Sequence, residues 1–159
     1  MKKQPDWSKK MNPLHLPKVV DVPDKWAAKI GHGRMAIVTP SMVDTFVKQI
    51  PKGTVVTMNQ LREHFAYEMD ADTTCPLTTG IFVSIVAKHA EHQRALGEKN
   101  ITPYWRVLKE GGKLNPKFPG GVIQHAALLE AEGLRIVKGK SQSSWRVKDH
   151  EQHTMLLEA

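Results

Sequence analysis

The sequence has 159 residues, 40% of them hydrophobic, and a formal net charge of +7, which suits one sizeable core and argues against two full domains. It contains no run of about 18 apolar residues and starts with polar sequence, so neither a membrane span nor a secretory leader is expected. Cys75 is the single cysteine, which excludes an intrachain disulfide and a four-cysteine metal site.

The positive charge is concentrated in two segments. Residues 1–34 carry eight Lys or Arg against three Asp, and residues 134–148 carry five basic residues and no acidic one. Basic clusters of this kind attract polyanions. A basic segment can equally be ordinary solvated surface, so the charge alone does not identify a partner.

The chain divides into an arm, a domain and a tail. Residues 1–34 contain four prolines, and within them only residues 25–30 have a helical pattern. We therefore predict a basic N-terminal arm over residues 1–34, a folded domain over residues 35–150 and a C-terminal tail over residues 151–159.

The domain is predicted to begin with two helices joined by a short strand at residues 54–56. Ser41 is placed to cap the first helix, because apolar residues follow it at helical spacing. Thr57 and Gln60 have the capping-box spacing for the second helix. The predicted buried stripe of that second helix is Leu61, Phe65 and Met69.

A third helix is predicted to begin near Pro76, since proline is well tolerated in a first turn. Its predicted core face is Ile81, Phe82, Ile85 and Val86. The other face carries small residues, namely Gly80, Ser84 and Ala87. Small residues allow a close approach to another surface, which is either a neighbouring helix or, with hydroxyl groups nearby, a DNA groove.

The remaining elements complete an ordered pattern. Residues 104–109 are typical of a strand, residues 111–112 of a turn and residues 122–132 of a helix, and residues 134–138 and 144–148 indicate a hairpin. The predicted class is α+β, mainly helical, arranged as a winged helix-turn-helix domain with a C-terminal β-hairpin wing.

Five stretches in order give the chain a family resemblance over roughly residues 42–137. They are residues 53–57 (GTVVT), 101–108 (ITPYWRVL), 111–114 (GGKL), 119–120 (PG) and 128–133 (LLEAEG). Together they resemble the DNA-binding domain of the alkylguanine-DNA alkyltransferases, in which a cysteine accepts the alkyl group and a histidine and a glutamate relay the proton.

The resemblance places Tyr104 at the position of the family's cysteine, Trp105 at the histidine and Glu132 at the glutamate. A phenol with a pKa of about 10 is a poor substitute for a thiolate, so alkyl transfer is expected to be lost. This pattern is similar to the alkyltransferase-like proteins, which lack the cysteine and bind alkylguanine in the emptied pocket. The predicted lesion pocket consists of Pro103, Tyr104, Trp105, Arg106 and Glu132. Tyr104 and Trp105 either stack on an extruded base or are core residues that fill a former active site.

The same resemblance and the basic hairpin predict a DNA-binding surface. The predicted contacts are Met58, Leu77, Thr78, Thr79, Gly80, Ser84, Lys88, Lys138, Lys140 and Arg146. Family members insert an arginine from the start of the third helix into the base stack, and residues 77–80 contain none. Leu77 is the apolar residue available there as a wedge. Met58 stands where the family has a tyrosine.

Two further groups have candidate chemical roles. Cys75 precedes the third helix, where amide donors could activate a thiol. It lies about thirty residues from the family's cysteine position and has no histidine at a recognisable spacing, which favours an inert, half-buried thiol. His89 and His92 lie one turn apart without an evident third ligand, which favours a solvated helix face over a metal site. No cofactor and no metal are predicted.

We therefore predict a non-enzymatic DNA-repair protein that recognises alkylated guanine in double-stranded DNA by extruding the base. Its expected partners are duplex DNA and other repair proteins, with no membrane partner, and its expected location is the cytoplasm or a nucleoid. Three alternatives stay open, namely an active methyltransferase that uses Cys75, a winged-helix protein that binds DNA regardless of damage, and a relic domain that binds proteins.

Overall fold

The computed structural model describes residues 6–11 and 16–155. Its α-helices are α1 (Trp7–Met11), α2 (Asp24–Ile30), α3 (Pro40–Val47), α4 (Met58–Glu68), α5 (Pro76–Ala95) and α6 (Gly121–Glu130). Its strands are β1 (Lys18–Asp21), β2 (Arg34–Ile37), β3 (Val56–Thr57), β4 (Thr73–Thr74), β5 (Val107–Leu108), β6 (Ile136–Val137) and β7 (Arg146–Val147). The predicted α+β, mainly helical class is confirmed. Within the described residues, no helix is both long and apolar enough to span a bilayer.

The N-terminal part of the chain forms a small sheet. β2 pairs antiparallel with β1 and parallel with β4, with Asp21 opposite Arg34 and Met35 opposite Thr73. The segment predicted as an arm therefore supplies β1 and the helices α1 and α2, so the expectation that only residues 25–30 are helical was wrong at Trp7–Met11. The predicted boundary at residue 34 falls on the first residue of β2. Pairing across such sequence distances leaves no local signal in the arm.

The start of α3 differs from the prediction. Thr39 is the N-cap, and its hydroxyl accepts a hydrogen bond from the Met42 N–H at 3.3 Å. Ser41 is already inside the helix, because Pro40 occupies the first turn. The next strand begins at Val56 rather than residue 54, since Val55 pairs separately with Thr154.

The capping box of α4 is confirmed. The Gln60 N–H donates to the Thr57 hydroxyl at 3.3 Å, and the Thr57 N–H donates to Gln60 Oε1 at 2.9 Å. Leu61 and Phe65 are buried as predicted. Both orphan donors at this helix start are thereby satisfied.

The predicted core face of α5 was wrong at Ile81, while the other three predicted residues contact the main core. Ile81 is 48% exposed, and Phe82 and Ile85 are only partly buried, whereas Val86 is fully buried. The residues that face the core are Thr79, Val83, Val86, Ala87 and Ala90. This face packs on α1 and α3, where small side chains allow close approach.

The C-terminal part brings a short 3-10 turn and a hairpin together. Residues Tyr104–Arg106 form the turn instead of the predicted strand, and β5 follows and pairs parallel with β3. The predicted hairpin is confirmed as the antiparallel pair β6 and β7, with Ile136 opposite Val147. Trp105 packs against both of the larger apolar clusters, so the turn lies where the two cores meet.

Candidate nucleic-acid interface

The exposed face of α5 is a stripe that begins one residue after the helix start. We call it the α5 stripe, and its members are Leu77, Gly80, Ile81, Ser84 and Lys88, which share one face of a helix. Leu77 is 58% exposed and Ile81 is 48% exposed. Among the described residues, a Cβ atom added at Gly80 would meet no atom of another element within 4 Å, so this glycine is not in close packing with any of the described helices.

The predicted polar contacts on α5 have different fates. Thr79 is fully buried and its hydroxyl donates to the Cys75 carbonyl at 2.7 Å, so its prediction as a DNA contact was wrong. The Thr78 hydroxyl is buried without a hydrogen-bond partner among the described residues. Lys88 is exposed, with its Nζ 5.2 Å from the centroid of the Trp7 ring. Met58 is half-buried against the main core.

The hairpin presents cations to solvent. Lys138 lies 3.6 Å from Glu130 and 5.4 Å from the Trp145 ring centroid, so its charge is partly paired. Lys140 and Arg146 are exposed and have no carboxylate within 4.0 Å in the described part of the chain. Arg135 and Lys148, which flank the two strands, are also exposed and also lack a carboxylate within 4.0 Å among the described residues, so four cations of the hairpin are available to phosphates.

The predicted lesion pocket is filled by Tyr104. The side chain is 1% exposed, and its hydroxyl donates to Glu91 Oε2 at 2.5 Å. Its ring meets Trp105 and Phe118 edge-on, at centroid distances of 5.3 and 5.1 Å. Burial and the hydrogen bond to Glu91 raise the pKa of Tyr104 far above its usual range. The Tyr104 phenol is therefore uncharged at neutral pH, which makes it a poor nucleophile. Its buried ring also exposes no face on which a nucleobase could stack.

Glu132 ties the neighbouring residues together. Its carboxylate accepts the Trp105 indole N–H at 3.0 Å, the Arg106 guanidinium at 2.6 Å and the Gly53 N–H at 3.2 Å. Arg106 also donates to the Ile50 carbonyl at 2.5 Å. Burial opposes ionisation of Glu132, but these hydrogen bonds outweigh it and lower its pKa. Four of the five predicted pocket residues, which we call the closed cluster, thus lie together: Tyr104, Trp105, Arg106 and Glu132.

The fifth predicted residue, Pro103, is also buried and precedes the turn. The sequence analysis did not predict that His125 belongs to this region, although its side chain is 1% exposed. The Asn115 N–H donates to its Nδ1 at 3.0 Å, so Nε2 carries the proton and donates to the Trp105 carbonyl at 2.8 Å. Burial lowers the pKa of His125 to about 4. His125 falls on the same α6 stripe as Val122 and Leu129, which is the signal that could have found it.

No protein-family model, curated protein or solved structure matches this chain. The site therefore rests on its own geometry. Cys75 is 3% exposed and packs with Val22 and Met35, where a DNA substrate has no access to its sulfur. Among the described residues there is no group of three or more His, Cys, Asp or Glu side chains arranged to hold a metal ion.

Proposed function

We propose that this protein binds double-stranded DNA through the α5 stripe and the β6–β7 hairpin, without transferring an alkyl group. The observation that carries the proposal is the α5 stripe itself. Two large apolar side chains are exposed, and a partly exposed glycine with space around it lies between them, on a long helix whose opposite face is buried. An open stripe of this kind marks a contact surface rather than a core.

The order of the elements supports a winged-helix interpretation. Helices α4 and α5 follow one another as a helix-turn-helix pair, and the hairpin follows α6, as a wing does. In such proteins the second helix of the pair enters the major groove and contacts base edges. The exposed Lys140 and Arg146 supply the sequence-independent attraction to phosphates.

The surroundings of Tyr104 favour binding that does not depend on damage. Recognition of alkylguanine by extrusion, as the family resemblance implies, needs a cavity for the base. The Tyr104 ring, enclosed by Trp105 and Phe118, occupies that position. The winged-helix alternative without lesion recognition is therefore the better supported function, and lesion preference becomes an outcome of the test.

The test is a titration of intact and O6-methylguanine duplexes at several salt concentrations. We expect equal affinity for the two duplexes and a steep loss of affinity with salt. The variant K140E/R146E should flatten the slope of log affinity against log salt by about 0.9 for each phosphate that the protein no longer neutralises. The matched control is Lys18→Glu on β1, an exposed lysine outside the proposed surface, which should leave the slope unchanged.

Three results would contradict the proposal. Tighter binding of the methylated duplex would restore the lesion-recognition function. A methyl group on Cys75, detected by mass spectrometry after incubation with that duplex, would make the protein an enzyme. If neither duplex is bound in a salt-dependent way, the alternative of a relic domain that binds proteins is favoured.

A further inference from the structure

A groove of about 270 Å³ lies between α2 and the start of α5. Its lining residues are Lys25, Trp26, Lys29, Ile30, Pro76 and Leu77. We call it the α2–α5 groove. Helix α2 precedes residue 42, where the family resemblance begins, so one wall of this groove is a feature of the N-terminal segment of this chain.

The walls of the α2–α5 groove combine an aromatic ring with apolar side chains. Trp26 and Ile30 pack on the apolar cluster that contains Val22 and Met35. Leu77 also lines the groove and is 58% exposed. A ligand in this groove therefore meets the partly buried Trp26 indole and an accessible aliphatic side chain.

The rim of the groove is cationic. Lys25 and Lys29 lie one turn apart on α2 and are exposed. Within residues 6–11 and 16–155, neither lysine has a carboxylate within 4.0 Å. Two free ammonium groups beside an aromatic surface suit a flat ligand that carries phosphates on both sides.

We propose that the α2–α5 groove holds an unpaired base of the nucleic acid that α5 binds, with Trp26 stacked on the base and Lys25 and Lys29 contacting the flanking phosphates. This inference rests on the proposed DNA binding. Leu77 provides the continuity, because it belongs both to the α5 stripe and to the groove. Because the base is already unpaired, the exposed Leu77 side chain needs only to fill the gap that this base leaves in the stack, and the paired bases of an intact or a methylated duplex stay in place.

The experiment compares a fully paired duplex with the same duplex carrying one unpaired adenine. At a fixed salt concentration, we expect the protein to bind the bulged duplex roughly tenfold more tightly, since stacking on an aromatic side chain contributes at this scale. Trp26→Leu should abolish the preference and Trp26→Phe should retain most of it. Lys29→Ala should reduce it, whereas the matched control Lys18→Ala should not.

The outcomes separate the two proposals. Absence of salt-dependent binding to both duplexes defeats the proposed function. Salt-dependent binding with equal affinities, or an equal loss on both duplexes for Trp26→Leu, preserves DNA binding and overturns the groove. If Trp26→Leu fails to fold, as judged by circular dichroism, Leu77→Ala decides, because its side chain is exposed. An unchanged preference in Leu77→Ala also overturns the groove.

Discussion

The closed cluster and the α5 stripe differ in the solvent exposure of their large side chains. Tyr104 is 1% exposed, with its hydroxyl paired, while Leu77 and Ile81 stand about half exposed on a helix with a complete core on its other face. A region with every polar atom satisfied stabilises the fold, and one with uncovered apolar atoms is available to a partner. The closed cluster, which the resemblance aligned with an active site, is thus the tightly packed region, and the α5 stripe is the region exposed to solvent.

The largest effect is expected from opening the closed cluster at Glu132. Glu132→Ala leaves Arg106, whose side chain is 13% exposed, without its carboxylate. Removing one partner of a buried ion pair lowers the free energy of unfolding by about 3–5 kcal/mol. Urea unfolding measures this loss. The control is Glu130→Ala, whose pair with Lys138 is about half exposed and should contribute under about 1 kcal/mol. If both variants lower the free energy of unfolding equally, the ion pair of the closed cluster does not stabilise the fold more than an exposed pair does.

The buried histidine behind the cluster should give a pH dependence on the acid side. The pKa of His125 is about 4 in the folded protein, against an ordinary value of 6.5. As the pH falls, His125 is protonated in the unfolded chain before it is protonated in the folded one. Its contribution to the free energy of unfolding is therefore fully present above pH 6.5 and is lost as the pH is lowered through 4. The total loss from this group is about 3 kcal/mol.

The measurement is the free energy of unfolding between pH 7.5 and 4. The variant His125→Gln should show a shallower decline than the unaltered protein. His32→Gln, at an exposed position in the loop before β2, should follow the unaltered profile. Parallel profiles for all three proteins would mean that His125 does not titrate as its burial requires.

Removing the Tyr104 hydroxyl tests how much this side chain's hydrogen bond stabilises the closed cluster. Tyr104→Phe keeps the ring but loses the hydrogen bond to Glu91, and we expect a loss of about 1.5–3 kcal/mol at neutral pH. Because the pKa of Tyr104 is raised, the unfolded chain releases this proton above pH ~10 and the folded chain does not, so its contribution disappears as the pH rises past that value. Tyr67→Phe, at a 55% exposed position, is the control and should change stability little.

The smallest effect concerns the α5 stripe. Gly80→Ala should stabilise the protein by about 0.5–1 kcal/mol, because glycine is unfavourable inside a helix and the added Cβ has open space. If the stripe approaches DNA closely, the same variant should bind duplex DNA more weakly than the unaltered protein. Thermal unfolding and a DNA titration on one preparation measure both. Unchanged affinity would place the closest DNA contact elsewhere.

Local patterns predicted the local structure well. The capping box at Thr57, the proline start of α5 and the hairpin β6–β7 depend on residues close in sequence, and all three are present. The N-cap at Thr39 was missed because Ser41 offers a similar side chain two residues later.

Features that depend on distant residues were not predicted. The β1–β2–β4 sheet joins segments far apart in sequence, and Tyr104 finds its partner Glu91 on another element. On α5 the apolar pattern wrongly included Ile81 in the core face and missed Ala87 and Ala90, which are buried because the helix packs closely on α1 and α3. The resemblance grouped the residues of the closed cluster and left open whether Tyr104 holds a base or fills the site; its contacts with Glu91 and Phe118, on distant segments, account for its burial.

The pairing around Val55 has a consequence for synthesis. Its N–H donates to the His153 carbonyl and its carbonyl accepts from the Met155 N–H. About a hundred residues must therefore be added after Val55 before that edge is covered, which takes about 5–20 s at ordinary translation rates. During this interval the nascent chain presents an open strand edge, the kind of edge that recruits other chains. Slow decoding of the codons for residues 106–155 should accordingly lower the yield of unaggregated protein more than slow decoding of the codons for residues 1–54.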